Sequence, residues 1–278
     1  MSELAARQPS SRVAQKRDAR TEQILDRAMA LLTERGIEGL TLQSVAEASG
    51  YVPAALYRYF GSKDGLLAAL QRRAVARLHE RYREARAQLD AQRTRASEAE
   101  LALTRLVHGA RFYLALPSSE PEAWFLLALL LGDPRPLIAD DEAQKTAPIL
   151  FAFLAEIQAL FVAARELGAL DPGDDLRRTL AYWAALSGAL SLEKARRIVP
   201  MMPSAAEVGL VQAQAMLLGW GADPKALKKA IERTGCAGPV RLGRALQADA
   251  CLCSLGARSF LRAKSTRYTR GAPSQASA

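Results

Sequence analysis

Four neighbouring side chains can bind the sugar–phosphate backbone of a nucleic acid: Tyr57, Arg58, Tyr59 and Lys63. Phenol hydroxyls and cationic groups are common partners of phosphate oxygens. Arg58 could also pair with guanine, whose major-groove edge accepts two hydrogen bonds from a guanidinium. Lys63 lies in the first turn of a predicted helix, where free backbone N–H groups favour a phosphate. The cluster therefore predicts contact with DNA, and two short helices must position it.

The first short helix is predicted to begin after Thr41, whose hydroxyl can accept a hydrogen bond from a free N–H of the first turn. Leu40 and Val45 have the spacing of a hydrophobic staple across this N-terminus. Gly50 is predicted to end the helix, since glycine readily takes the left-handed conformation of a C-cap. Pro53 suits the first turn of the second helix, because its missing N–H would have no partner there.

The second short helix carries Leu56 and Phe60 four residues apart, so both are predicted to point into a core while much of the tyrosine surface faces outwards. Gly61 is predicted to break this helix, and Ser62 to cap the next one. A helix, a glycine-containing turn and a second helix is the layout of a helix-turn-helix unit that reads DNA. On this pattern alone, an ordinary pair of packed helices in an all-helical protein remains an equal alternative.

The amino-acid sequence of this segment also resembles that of a known family. The run T-L-Q-S-V-A-E-A-S-G-Y-V-P-A-A-L-Y-R-Y-F-G-S-K-D-G-L-L closely resembles the DNA-binding domain of TetR-family transcriptional regulators, and the match extends from Thr21 to about Leu70. The resemblance implies that the first short helix braces against the DNA backbone and that the second enters the major groove. The DNA contacts added in this way are Thr41 and Gln43 to phosphates, and Tyr51, Val52, Pro53, Ala54 and Ala55 near bases. Proline and alanine side chains donate no hydrogen bonds, so any specificity from them is apolar, for example against thymine methyl groups.

The whole chain of 278 residues is half hydrophobic and carries a formal net charge of +9. Residues 1–20 contain five basic and two acidic residues, whereas residues 21–70 contain four basic and six acidic ones. Bulk charge is therefore a weak argument for nucleic-acid binding, and the DNA hypothesis depends on the motif. We predict residues 1–20 to be a flexible basic arm that contacts phosphates or a minor groove, with a merely solubilising tail as the equal alternative. Its basic residues are Arg7, Arg12, Lys16, Arg17 and Arg20.

The predicted fold class is all-α, since helical apolar periodicity recurs along the chain and no useful stretch alternates with a period of two. Residues 21–75 are expected to form a three-helix helix-turn-helix domain, and 76–235 a larger helical domain for effector binding and dimerisation. Residues 236–278 are expected to be a disordered tail. Apolar helices are predicted over 101–116, 121–131, 147–167, 176–198 and 205–220, with a turn at 117–119. The arginine-rich helix after residue 70 is interpreted as a solvated face with local ion pairs.

The larger domain offers two kinds of partner. Its last two long helices are apolar on several faces, which favours contact with a second copy. In the resembling family these helices form a four-helix dimer interface, and the central helices enclose a small-molecule pocket. The candidate effector residues are His108, Phe112, Trp124, Phe125, Phe153 and Glu156, although each is individually more typical of core or surface.

An enzyme is the competing class, and the sequence argues against it. The two histidines, His79 and His108, lack a third ligand at metal-site spacing, and neither a G-x-S-x-G elbow nor a phosphate-binding loop is present. The cysteines, at positions 236, 251 and 253, are interpreted as free thiols. No cofactor, transmembrane helix or signal peptide is expected, which predicts a cytoplasmic protein. The sequence thus predicts a homodimeric repressor that binds double-stranded DNA and responds to an unidentified small-molecule effector. The alternative, a helical adaptor that binds only protein, would leave residues 51–63 unexplained.

Overall fold

The fold is all-α in the computed structural model, which describes residues 11–92, 95–132 and 138–236. Within these ranges there are twelve helices and no strand. The helices are α1 (Ser11–Gly39), α2 (Leu42–Ser49), α3 (Pro53–Phe60), α4 (Lys63–Asp90), α5 (Glu98–Ser119), α6 (Pro121–Gly132), α7 (Asp140–Gln144), α8 (Ala147–Glu166), α9 (Asp175–Ser191), α10 (Glu193–Arg196), α11 (Ala205–Gly219) and α12 (Pro224–Cys236).

The amino-terminal helix is longer than predicted. It begins at Ser11, so the predicted flexible arm is wrong for residues 11–20, and the segment before Ser11 lies outside the described residues. Ala14 to Arg20 have exposed or half-buried side chains, which shows that this extension is held by its own backbone hydrogen bonds and not by a core. The predicted stop at Gly36 is a kink with φ of 69°, and the helical assignment resumes as far as Gly39.

Two apolar cores organise the helices. The first contains the buried faces of α1, α2 and α3 and continues along α4 to Leu78, reaching Leu116 of α5 and Leu126 of α6. The second gathers α5, α8, α9, α11 and α12 around residues such as Phe161. Because α4 contributes to both cores, it connects the helix-turn-helix unit (α2 and α3) physically with the rest of the chain.

Three boundaries differ from the prediction. The expected turn at 117–119 belongs to α5, which continues through Pro117 to Ser119. The predicted helix over 176–198 is divided after Ser191 into α9 and the short α10. α12, which the sequence analysis did not assign, packs along α5; Arg111 donates to Thr234 Oγ1 at 2.9 Å across this contact.

One helix in the described part of the chain, α8, is long and apolar enough to cross a membrane, with a mean hydropathy of 2.0 over its best window. The expectation of no transmembrane helix rested on the lack of a long uninterrupted apolar run, and Glu156 and Gln158 interrupt α8. The test does not distinguish a span from an apolar helix of a folded domain. α8 carries Glu156 in ion pairs with His79 and Arg86, which is typical of a helix packed against protein.

Candidate nucleic-acid interface

The first short helix of the unit has both ends satisfied by local hydrogen bonds. At the N-terminus, the Ser44 N–H donates to Thr41 Oγ1 and the Thr41 N–H donates to Ser44 Oγ, each at 3.0 Å, which makes a reciprocal capping box. At the C-terminus, Gly50 takes φ of 71°, and the Tyr51 N–H donates to Ala46 O at 2.9 Å. The predicted cap and stop are confirmed, so the sequence rigidly defines the turn.

α3 begins at Pro53, as predicted, and turns one face inwards. Leu56 and Phe60 are buried in the first core together with Val45 of α2, and the predicted inward face is confirmed. Gly61 ends the helix, and Ser62 then caps α4 by accepting from the Gly65 N–H at 3.0 Å. With both ends fixed and one face anchored, the opposite face of α3 is held in one orientation.

The outward face of α3 combines apolar and polar groups. Val52 is 68% exposed and Tyr57 58% exposed, so both offer apolar surface to a binding partner. Pro53, Ala54 and Arg58 are also exposed, whereas Tyr51 and Tyr59 are half-buried against the first core. The structure thus brings most of the predicted base-contact and phosphate-contact residues of α3 onto one accessible surface.

Ala55 is an exception and corrects the prediction. It is only 7% exposed and packs in the first core beside Leu56. Its position on the helix explains this, because residue 55 lies four and five residues before Tyr59 and Phe60, on the inward side. A side chain in this position cannot reach a base while α3 stays folded on its core.

Lys63 has a partner within the protein that the sequence analysis missed. Its Nζ donates to Ile37 O at 2.7 Å, which satisfies a carbonyl near the kinked end of α1. This contact ties the start of α4 to the end of α1 across 26 positions of sequence. A phosphate contact by Lys63 would therefore be shared with, or replace, a structural hydrogen bond.

The remaining predicted phosphate contacts lie on exposed positions. Thr41 and Gln43 are both exposed at the start of α2, where Gln43 Nε2 donates to Glu47 Oε1 at 3.1 Å. Lys16, Arg17 and Arg20 are exposed on α1, and the Arg17 guanidinium lies 5.9 Å from the centre of the Tyr59 ring. That contact brings one basic residue of the α1 extension next to the aromatic end of α3.

The candidate effector residues are divided among different surroundings. Phe112 and Phe153 lie 5.3 and 5.6 Å from the ring of buried Tyr82, between the two cores. Glu156 is close by and accepts from Arg86 Nη1 at 2.8 Å and pairs with His79 Nε2 at 2.6 Å. We call these residues the central cluster; its members are Tyr82, Phe112, Phe153, Glu156, His79 and Arg86.

The other three candidates differ. His108, one turn from Phe112 on α5, has a buried Nε2 without a hydrogen bond, and burial lowers the pKa of its imidazole. Trp124 packs edge-on against Tyr113 at 5.8 Å, in a separate group of rings. Phe125 is 43% exposed on α6, so its assignment to an interior pocket is not supported by its position.

The predicted local ion pairs on α4 are present, for example between Arg86 and Asp90. Further ion pairs fix α4 to other helices, which corrects the interpretation of its arginines as only a solvated face. Arg77 and Arg81 both contact Glu120, at the start of α6, with N–O distances of 3.3 Å. Arg73 reaches back to Asp26 of α1 at 2.8 Å. The charges of α4 therefore join the helix-turn-helix unit, the central cluster and the junction of α5 and α6.

α9 and α11 pack against each other and leave large apolar side chains exposed on their free faces. Val211 of α11 is 67% exposed. Leu176 and Leu180 of α9 and Leu218 of α11 are also exposed. An apolar surface of this kind on two neighbouring helices is typical of a protein–protein contact.

Comparison with known proteins agrees with this geometry. The family model for bacterial regulatory proteins of the tetR family matches residues 24–70. The HTH-type transcriptional regulator Rv1816 of Mycobacterium tuberculosis is 29% identical over 210 residues, covering 66% of this chain and 85% of the relative.

Two solved structures illustrate the likeness in fold. A Rhodococcus sp. RHA1 protein described as of unknown function has a TM-score of 0.57 and 21% identity, covering 78% of this chain and 99% of its own. The transcriptional regulator FadR of Bacillus subtilis, solved with stearoyl-CoA, has a TM-score of 0.53 and 16% identity, covering 71% of this chain and 98% of its own.

Proposed function

We propose that this chain, a DNA-binding transcriptional regulator of the TetR family, is a repressor whose α3 inserts its exposed face into the major groove. The observation that carries this proposal is the surface around Tyr57, held outwards by the capped helix α2 and by the buried face of α3. Val52, Pro53 and Ala54 face the base edges, and Tyr57 and Arg58 contact the backbone or a guanine. Ala55 has no direct part in this contact.

The groove assignment is tested by replacing Tyr57 and Arg58 separately with alanine. Both side chains are exposed, so folding should be retained while operator affinity falls by roughly tenfold or more for each lost contact. A DNA fragment obtained by selection from random sequence provides the probe for a gel-shift titration. Arg83→Ala is the matched control, because Arg83 is an exposed arginine on α4 away from α3. Equal affinities for all three variants and the native chain would remove the basis of the assignment.

We also propose that two copies pair through the exposed faces of α9 and α11, which would place two α3 helices on adjacent half-sites about one DNA turn apart. Leu180 and Val211 would then be buried between copies. Val211→Glu should convert dimers to monomers in analytical ultracentrifugation, since it places a charge in an apolar contact. Val211→Ile is the control and should leave the dimer intact. A monomeric native chain at micromolar concentration would contradict this proposal.

The third part of the proposal is release from DNA by a small molecule bound at the central cluster. α4 supports this, because it belongs to the core of the helix-turn-helix unit and also holds Glu156 through His79 and Arg86. A ligand can release DNA only if it binds the DNA-free arrangement more tightly. FadR of Bacillus subtilis, with its bound stearoyl-CoA, is a precedent in fold for ligand binding. A compound that raises the thermal midpoint of the chain should also weaken the operator complex, and a stabilising compound without that effect would contradict release.

A further inference from the structure

Two buried polar atoms, Tyr82 Oη in the central cluster and His108 Nε2 on the neighbouring α5, lack a well-formed hydrogen bond to any described residue. Tyr82 is only 1% exposed, so water does not replace the missing partner from outside the fold. Arg86 lies close enough to donate to Tyr82 Oη, but a guanidinium accepts nothing, so the hydroxyl proton has no acceptor among the described residues. A buried hydroxyl or imidazole nitrogen without a partner is uncommon in folded proteins and calls for a specific explanation.

The two atoms belong to neighbouring positions in the fold. A Cβ placed on Gly109 would lie 3.5 Å from Tyr82 Oη. The hydroxyl therefore faces α5 at Gly109, the residue that follows His108. His108 and Phe112 are one helical turn apart on α5, and Phe112 touches the Tyr82 ring. A side chain at position 109 would lie against this hydroxyl, and glycine provides none.

The rings around these atoms are incompletely packed. Phe112 and Phe153 each contact both cores, yet both are only half-buried. Residues 147–159, the first part of α8, include no buried side chain, although all but Glu156 and Gln158 are apolar or proline. Protein interiors are normally close-packed, so rings that remain half-exposed between two cores border space that the described residues do not fill.

The charged groups nearby are already paired. Glu156 is held by His79 and Arg86, and Asp90 accepts from Arg105 Nε at 2.8 Å. Burial raises the pKa of the Tyr82 hydroxyl above its usual value, so it stays protonated and can donate. Burial also favours the neutral imidazole of His108, which can accept or donate according to its tautomer. Arg111, which also lies near His108, donates to Thr234 Oγ1 at 2.9 Å. An anionic ligand would therefore have to displace an existing partner to find a cation among these groups.

We propose that the effector is an uncharged molecule with an apolar, preferably aromatic, body and a hydroxyl or carbonyl group bound by Tyr82 Oη and His108 Nε2. Its body packs against Phe112 and Phe153. The inference rests on the proposed effector function and specifies its chemistry. The polar pair selects the ligand, because a hydrocarbon of the same shape leaves both atoms without partners and a carboxylate must be buried beside Glu156 and Asp90.

Three probes of similar shape separate these cases: 2-naphthol, naphthalene and 2-naphthoate. Equilibrium dialysis against the full chain, with each probe measured by its own fluorescence, gives the three affinities. The native chain should bind 2-naphthol about tenfold or more tightly than either of the others, since one satisfied buried hydrogen bond is worth at least this ratio. Equal binding of the three, a preference for 2-naphthoate, or no binding of any of them overturns the proposal.

Two variants test whether the preference for 2-naphthol depends on the Tyr82 hydroxyl. Tyr82→Phe should remove most of the advantage of 2-naphthol over naphthalene and leave naphthalene binding unchanged. Tyr182→Phe is the matched control, because Tyr182 is a buried tyrosine whose hydroxyl already donates to Leu106 O at 3.3 Å. Its variant should keep the preference for 2-naphthol. If the Tyr82→Phe variant still prefers 2-naphthol, Tyr82 Oη does not bind the polar group of the ligand.

Gel shifts on the same samples separate this inference from the function on which it rests. If 2-naphthol binds with the expected preference but leaves the operator complex intact, the proposed ligand site is supported and ligand-driven release is wrong. If DNA binding is normal and the three probes bind alike, the proposed ligand site is wrong and the regulator assignment is unaffected.

Discussion

The helix-turn-helix unit and the central cluster differ in how completely their side chains are buried and hydrogen-bonded. In the unit, Val45 and Leu56 are fully buried, and both ends of α2 are capped. In the central cluster, Phe112 and Phe153 are half-buried between two cores, and the Tyr82 hydroxyl proton has no acceptor in the described part of the chain. A surface that must match the fixed geometry of a DNA groove benefits from a rigid scaffold. A site that receives another molecule must leave contacts for that molecule to complete.

The largest expected difference concerns removal of apolar side chains. Leu56→Ala should lower the free energy of unfolding by about 2–5 kcal/mol, because it leaves a cavity in a filled core. Ile149→Ala, at a half-buried position of α8 beside the central cluster, should cost less than about 1.5 kcal/mol. Urea denaturation followed by circular dichroism measures both values. Similar losses would show that the two regions are equally well packed and would break the comparison.

Adding volume should give the next largest difference. Ala28→Leu enlarges a fully buried side chain of α1 and should cost about 1–3 kcal/mol through overpacking. Ile149→Phe adds volume beside the incompletely packed rings and should change the free energy of unfolding by less than about 0.5 kcal/mol. The comparison fails if the added ring on α8 is as destabilising as the added methyl groups on α1. The same denaturation series provides the values.

The smallest difference concerns hydroxyl groups. Thr41→Ala removes a satisfied N-cap and should destabilise the chain by about 1 kcal/mol. Tyr82→Phe removes a buried hydroxyl whose proton has no acceptor among the described residues, so it should leave stability unchanged or raise it slightly. Thermal denaturation of the two variants shows whether the signs differ. A loss of stability in Tyr82→Phe as large as that in Thr41→Ala would mean that its hydroxyl has a partner in solution.

The sequence predicted the helix-turn-helix unit well because its signals are local. Thr41, Gly50 and Pro53 act within one turn of where they stand, so residue type alone indicates the start or the end of a helix. Leu56 and Phe60 identify the inward face because large apolar residues four apart leave few alternatives. Ala55 gave no such signal, since an alanine is equally acceptable on either face, and resemblance placed it on the wrong one.

The parts that sequence reasoning missed depend on contacts between distant residues. Lys63 meets Ile37 only after α1 bends at its end, and Glu156 meets His79 and Arg86 across 77 and 70 positions. The arginines of α4 looked like a solvated face because their acidic partners, such as Glu120, lie on other helices. The unsatisfied Tyr82 hydroxyl was equally invisible, since burial and the lack of a partner are properties of the packed chain.

One substitution tests most directly whether the outward face of α3 reads DNA. Val52→Glu changes a 68% exposed side chain, so the fold should tolerate it, but the new carboxylate would meet the negative groove. We expect a gel-shift titration to show operator affinity reduced by about a hundredfold or more, while ultracentrifugation shows an unchanged association state. If Val52→Glu instead binds the operator as tightly as the native chain, α3 does not present its outward face to the groove.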